Sequence, residues 1–174
     1  MLDRKLRLLS MTALFAALTT LLTLVIRVPS PLSGYLNLGD CGVLLSAWIL
    51  GPVPGCLAAG LGSMAADLLG YPLYAPGTLV IKGLMALAAG ALFRLLRQKG
   101  PARLFPALLA SGAAGELIMT AGYFLYEAAP FPVGLGLGAL VNVPFNLVQG
   151  GFGLICAGAV YLSLSRAGAL ARRL

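Results

Sequence analysis

The sequence predicts an all-α integral membrane protein of six transmembrane helices with both termini in the cytoplasm. Three observations carry that expectation. Composition is the first: 60% of the 174 residues are apolar, only 10% are charged, and the mean hydropathy is +0.97, far outside the range of a water-soluble domain. The second is length, because a spanning helix needs about 20 apolar residues and the chain divides into about six such runs with short connections. The third is the placement of its basic residues. Arg4, Lys5 and Arg7 precede the first run, Arg94, Arg97, Lys99 and Arg103 follow the fourth, and Arg166, Arg172 and Arg173 follow the sixth. Basic clusters beside spans mark the cytoplasmic face, and these three share a face only if an even number of crossings separates them.

The elements follow in order. The first span covers residues 6–28 and stops at Val28-Pro29-Ser30-Pro31. It continues too far, and lacks the small-residue cleavage pattern, to read as a removed signal peptide. A turn-rich loop through Gly34 leads to the second span, 39–50, which rises only about 18 Å and must be tilted, buried in protein or extended by the loop. Gly51-Pro52-Val53-Pro54-Gly55 reads as an abrupt turn before the third span, 55–69. The fourth, fifth and sixth spans cover 76–96, 104–128 and 137–165. The loops near 29–38, 70–75 and 129–136 then face outward, and residues 1–174 form one transmembrane domain.

Small residues suggest close helix contacts. Gly55, Ala59 and Ser63 line one face of the third span, and Ala58, Gly62 and Ala66 a neighbouring one, as internal packing surfaces. Ala13 and Ala17 in the first span are four apart, with Ala16 beside them; this face reads either as internal packing or as a dock for a separate subunit. The three cysteines have no metal-ligand spacing and read as small apolar packing groups.

Polar groups inside spans are costly and therefore informative. Asp40 and Asp67 fall at the outer ends of spans two and three. Lys82 lies about 10 Å below the outer end of span four, and Glu116 near the middle of span five, with Tyr123 and Glu127 on roughly the same face. Asn142, Asn146 and Gln149 follow i, i+4, i+7 and line one face of span six, where Pro144 should loosen the backbone. Asn37 and five tyrosines (Tyr35, Tyr71, Tyr74, Tyr123, Tyr126) share this outer depth, some as an interfacial belt and others as stacking surfaces. The inner half holds almost no such groups, so a one-sided pocket fits better than a channel.

Each group also has a structural reading. Lys82 pairs with Asp67 or Glu116, Asp40 caps span two, Asp67 fixes the outer loop, Glu127 is solvated and Arg27 snorkels to the outer headgroups. Enzymatic chemistry is not expected: the chain has no histidine, no G-x-x-x-x-G-K-[ST] motif, and no paired carboxylates or metal-ligand cluster. The net charge of +7 is explained by membrane topology, so no nucleic-acid partner is expected.

GYLNLGD (34–40), ADLLGY (66–71) and YAPGTLVIKG (74–83) resemble the substrate-binding S components of energy-coupling factor (ECF) vitamin transporters, in the branch of riboflavin, pyridoxine and hydroxymethylpyrimidine carriers. The resemblance is strongest over residues 35–90. It implies a compact six-helix bundle in the plasma membrane that binds a vitamin from outside under a lid of outer loops. The bundle then docks on a transmembrane coupling subunit carrying two ATPases and topples to release its ligand. ATP would be used by those partners, and this chain would carry no cofactor of its own. Ala13 and Ala17 match the docking face of that family. Lys82, Glu116, Asn142, Asn146 and Gln149 would then supply polar contacts, with Asn37 nearby and Tyr35, Tyr74 and Tyr123 as stacking groups. Pyridoxine or hydroxymethylpyrimidine is the favoured ligand, with riboflavin next. Two rival readings are a structural subunit whose polar groups join helices, and a stand-alone carrier coupled to protons through Glu116.

Overall fold

The computed structural model describes residues 2–30, 35–98 and 103–170. Pro31 and Gly34 of the first loop, and Lys99, Arg172 and Arg173 of the basic clusters, lie outside the described residues. Six α-helices make up the architecture: α1 (Leu2–Val25), α2 (Gly39–Leu50), α3 (Pro52–Gly70), α4 (Ala75–Arg97), α5 (Leu104–Ala128) and α6 (Val143–Arg166). Two-residue strands β1 (Val28–Pro29) and β2 (Tyr35–Leu36) pair antiparallel between α1 and α2. A 3₁₀ helix, Gly136–Asn142, precedes α6.

Five of the helices are long and apolar enough to cross a membrane; α2 is not. Of the alternatives for this short element, burial is the one adopted. Every residue from Gly39 to Trp48 is buried, and α2 packs against α1, α3, α4 and α6. With protein on all sides, α2 has no need to match the bilayer thickness.

The second and third helices meet closely because Gly51 adopts φ 93°, a conformation that a side chain resists. The expected turn over 51–55 is confined to that single residue. Pro52 and Pro54 already lie in the first turn of α3, where a missing N–H costs nothing. From there α3 uses three glycines to approach three neighbours: Gly55 lies against Ala47 of α2, Gly60 against Leu79 of α4, and Gly62 against the Ala16 carbonyl of α1. Thr20 of α1 adds a 2.8 Å hydrogen bond to the Gly62 carbonyl. The small-residue faces of α3 are therefore internal.

Pro144 sits in the first turn of α6 and marks the change from 3₁₀ to α geometry. The loosened backbone expected within a continuous sixth span is instead a junction between two helix types, because proline is tolerated at a helix start and not in its interior.

The two ends of the bundle differ. At one end, Trp48, Phe93 and Tyr161 pack with ring centroids 5.5–6.0 Å apart. The Trp48 indole N–H donates to Ser111 Oγ at 3.0 Å, which ties this aromatic cluster to α5. The described basic clusters, Arg4, Lys5 and Arg7, Arg94, Arg97 and Arg103, and Arg166, belong to the helix termini of this end. The opposite end carries the hairpin, the α3–α4 turn and the 3₁₀ helix, and it is where the buried polar groups gather.

Candidate functional site

Three buried carboxylates organise the polar end, and each ties together elements distant in sequence. Asp40 of α2 is the first. Its two oxygens accept hydrogen bonds from Lys82 Nζ of α4 and, at 2.6 Å, from Gln149 Nε2 of α6. Gln149 Oε1 in turn accepts from the Asn37 backbone N–H at 2.9 Å and its amide at 3.3 Å, which fixes the end of the hairpin to α6. The pairing expected for Lys82, with Asp67 or Glu116, is thus replaced by Asp40. Asp40 does not cap α2; Asn37 Oδ1 takes that part by accepting from the Gly39 N–H at 2.7 Å. A carboxylate one residue inside the helix points across the bundle, where an ammonium group offers more than a backbone amide.

Asp67 of α3 is the second hub. It accepts from the Tyr35 hydroxyl of β2 and from Thr78 Oγ1 of α4, both at 2.5 Å. Because the Thr78 proton is given to Asp67, the 3.0 Å contact between Thr78 Oγ1 and Tyr123 has the Tyr123 hydroxyl as donor. Burial, with the bond to Asp67, holds the Tyr35 phenol well above its ordinary range. Tyr35 also stacks on Tyr71 at 4.7 Å and lies under the Arg27 guanidinium, 4.8 Å from the ring centroid. Arg27 donates to the Ala66 carbonyl at 2.9 Å and packs against Gly70. The carbonyls near the end of α3 and an aromatic face hold it in place.

Glu127 of α5 is the third hub, only 3% exposed rather than solvated. It accepts from the Tyr74 hydroxyl at 3.3 Å and from Asn142 Nδ2 at 3.0 Å, joining the α3–α4 turn to the start of α6.

Between these hubs lies a cavity of about 40 Å³, room for a few water molecules. Eight of the nine residues expected at a binding site line it. Tyr35 and Asn37 come from the hairpin side, Tyr74 and Lys82 from α4 and its cap, Tyr123 from α5, and Asn142, Asn146 and Gln149 from the α6 region. Glu116 is the exception. It is buried against Gly150 and Gly153 of α6, outside the lining, and neither carboxylate oxygen has a hydrogen-bond partner. It shares the face of Tyr123 and Glu127, which do line the cavity, but lies about 10 Å deeper along α5 than Tyr123.

Ser63, Asp67, Thr78 and Glu127 also line the cavity and were not expected to do so. Thr78 precedes Lys82 by one helical turn, a spacing that could have placed it. Ser63 was hidden within a small-residue packing face. It is 2% exposed, and its hydroxyl has no protein partner; nor does Asn146 Nδ2. Tyr71 and Tyr126 do not line the cavity: Tyr126 donates to the Leu73 carbonyl at 2.7 Å. Leu36 and Phe145 form a wall shared with an apolar crevice of about 330 Å³, whose other sides are Val28, Pro144 and Val148.

Ala13 and Ala17 are exposed on α1, beside the α3 contact that Ala16 and Thr20 make.

An apolar bundle with aromatic packing at one end and a polar and aromatic cavity at the other is the form of a membrane protein with a one-sided pocket. Residues 4–166 match the family described as "ECF-type riboflavin transporter, S component", and the chain belongs to that family. A Pyrococcus woesei protein described as "Uncharacterized protein in gap 3'region" is 34% identical over 151 residues, 86% of this chain and 96% of its own length. A solved structure described as "Structure and mechanism of the S component of a bacterial ECF transporter" shares the fold, with a TM-score of 0.71, 18% identity, and coverage of 93% of this chain and 97% of its own. The chain is therefore a multi-pass plasma-membrane subunit of a vitamin transporter and not an enzyme.

Proposed function

We propose that the cavity binds a heteroaromatic vitamin for ATP-driven uptake and that riboflavin, the vitamin in the family's description, is the first ligand to test. The observation that carries this reading is the lining. Tyrosine faces stand beside neutral hydrogen-bonding groups without protein partners, Ser63 Oγ and Asn146 Nδ2, in a site otherwise walled by satisfied polar groups. A flavin exceeds about 40 Å³ many times over, so its entry requires the walls to part. The Leu36 and Phe145 wall, backed by the apolar crevice, provides somewhere for that movement to go. The small size of the cavity itself favours a second reading, a single-ring ligand such as pyridoxine or hydroxymethylpyrimidine.

In this proposal the basic end faces the cytoplasm and the cavity faces outward, following the positive-inside rule. Transport then requires a transmembrane coupling subunit and two ATPases, with Ala13 and Ala17 as the docking face on α1. The test combines mass spectrometry of any co-purified small molecule with equilibrium binding of riboflavin, pyridoxine and hydroxymethylpyrimidine. High-affinity binding of one of them by the isolated chain is expected. Binding of none would leave a structural subunit as the better reading. Uptake by this chain alone, driven by a proton gradient and lost in Glu116→Gln, would favour the stand-alone carrier. Ala17→Trp should spare binding and abolish ATP-driven uptake with partners present; uptake at the normal rate would remove α1 as the docking face.

A further inference from the structure

Charge is distributed unevenly along the bundle axis. The chain has five carboxylates, and four of them (Asp40, Asp67, Glu116 and Glu127) are buried in the cavity half. The cations described in that half are Lys82 and Arg27. Lys82 is paired with Asp40, and Arg27 is engaged by the Ala66 carbonyl and the Tyr35 ring, outside the cavity lining. Neutralising any two of the four carboxylates would bring this half to zero, never to a positive value. Donors are available to a ligand: the Asn146 amide N–H, the Ser63 hydroxyl, which can also accept, and the remaining N–H groups of a charge-balanced Lys82.

We infer that the cavity selects uncharged rings rich in hydrogen-bond acceptors, carbonyls and ring nitrogens, and rejects the phosphorylated or carboxylated forms of those rings. The inference rests on the vitamin-binding reading above and adds a discrimination to it. A phosphate entering here loses its water and meets Asp67 and Glu127 at close range with no unpaired cation to receive it, so like charges in a poorly screened site oppose entry. Specificity of this kind arises from repulsion as much as from attraction.

The experiment measures binding of matched pairs to the purified chain in nanodiscs: riboflavin against flavin mononucleotide, and pyridoxine against pyridoxine 5′-phosphate. The unphosphorylated member of whichever pair binds is expected to bind on the order of 100-fold more tightly. In Glu127→Gln, and independently in Asp67→Asn, that ratio should fall by about 10-fold, since each removes one opposing charge while keeping the side-chain shape. Equal binding of both members in the wild-type chain would overturn the inference and leave the vitamin reading intact. A wild-type preference unchanged in both variants would also overturn it, because exclusion would then be steric. Failure of every ring to bind would overturn the vitamin reading itself, and the inference with it.

Discussion

Replacing Lys82 with methionine tests whether the Asp40–Lys82 pair holds the short α2 in place. Asp40 is fully buried and Lys82 is 2% exposed, so the pair sits in a site of low polarisability. In Lys82→Met the Asp40 carboxylate keeps only the Gln149 amide, at 2.6 Å, as partner. Breaking a buried pair by removing one member costs about 3–5 kcal/mol, because the remaining charge is left uncompensated. For a chain of this size that corresponds to a fall of roughly 6–20 °C in Tm. The double variant Asp40→Asn/Lys82→Met removes both charges and retains an amide partner for Gln149. Replacing a buried pair by neutral groups of similar volume is often close to neutral, so the double variant should recover most of the loss, a coupling of about 2 kcal/mol or more. The assay is thermal unfolding of the ligand-free protein in one detergent, followed by size-exclusion fluorescence. A single variant within about 2 °C of wild type, or a double variant as unstable as the single, would refute the reasoning.

Three further outcomes are expected. Asn146→Ala removes a group that lines the cavity without a protein partner for its Nδ2. Ligand affinity should fall about 10-fold in titration calorimetry while Tm stays within about 2 °C of wild type. Tyr35→Phe deletes the hydrogen bond to Asp67 and should cost about 1–3 kcal/mol in Tm measurements, since the donor serves a buried carboxylate. The Tyr35 phenol is raised above its ordinary value of 10, so its contribution is fully present below pH 10 and is lost only as pH rises beyond it. Stability measured from pH 6 to 9 should show no titration that disappears in Tyr35→Phe. Finally, Gly62→Leu places a side chain against the Ala16 carbonyl and should sharply reduce the yield of folded protein, whereas Gly158→Ala enters open space and should be neutral or stabilising by about 0.5–1 kcal/mol. Comparable yields and Tm values for the two would contradict the α1–α3 packing.

Hydropathy made the spans legible. The fifth predicted span coincides with α5, and the second with α2, because apolar run length and flanking turn residues both report where a helix lies in the bilayer. The β1–β2 pairing left no such trace, since two residues per strand are too few to establish a period. Depth within the bilayer was similarly readable. Counting about 1.5 Å per residue puts Lys82, Asn142, Asn146 and Gln149 in the outer half, and all four line the cavity.

What counting along the chain could not supply is direction around each helix axis. Lys82 has three carboxylates, Asp40, Asp67 and Glu116, near its level, and its choice of Asp40 depends on how α2 is rotated against α4. Glu116 shares the face of Tyr123 and Glu127 but lies about 10 Å deeper than Tyr123, where Gly150 and Gly153 let α6 lie close enough to cover it. Thr78 and Lys82 share a face because they are one turn apart, and both line the cavity. Rotation is set by the packing of whole helices, above all by three glycines of α3 that decide which neighbour comes close at which level. The same packing that hides Glu116 brings Asp67 and Glu127 to the cavity wall, so it also determines the charge a ligand meets there. Discrimination between a neutral ring and its phosphate therefore depends on helix rotation as much as on which acidic residues the chain contains.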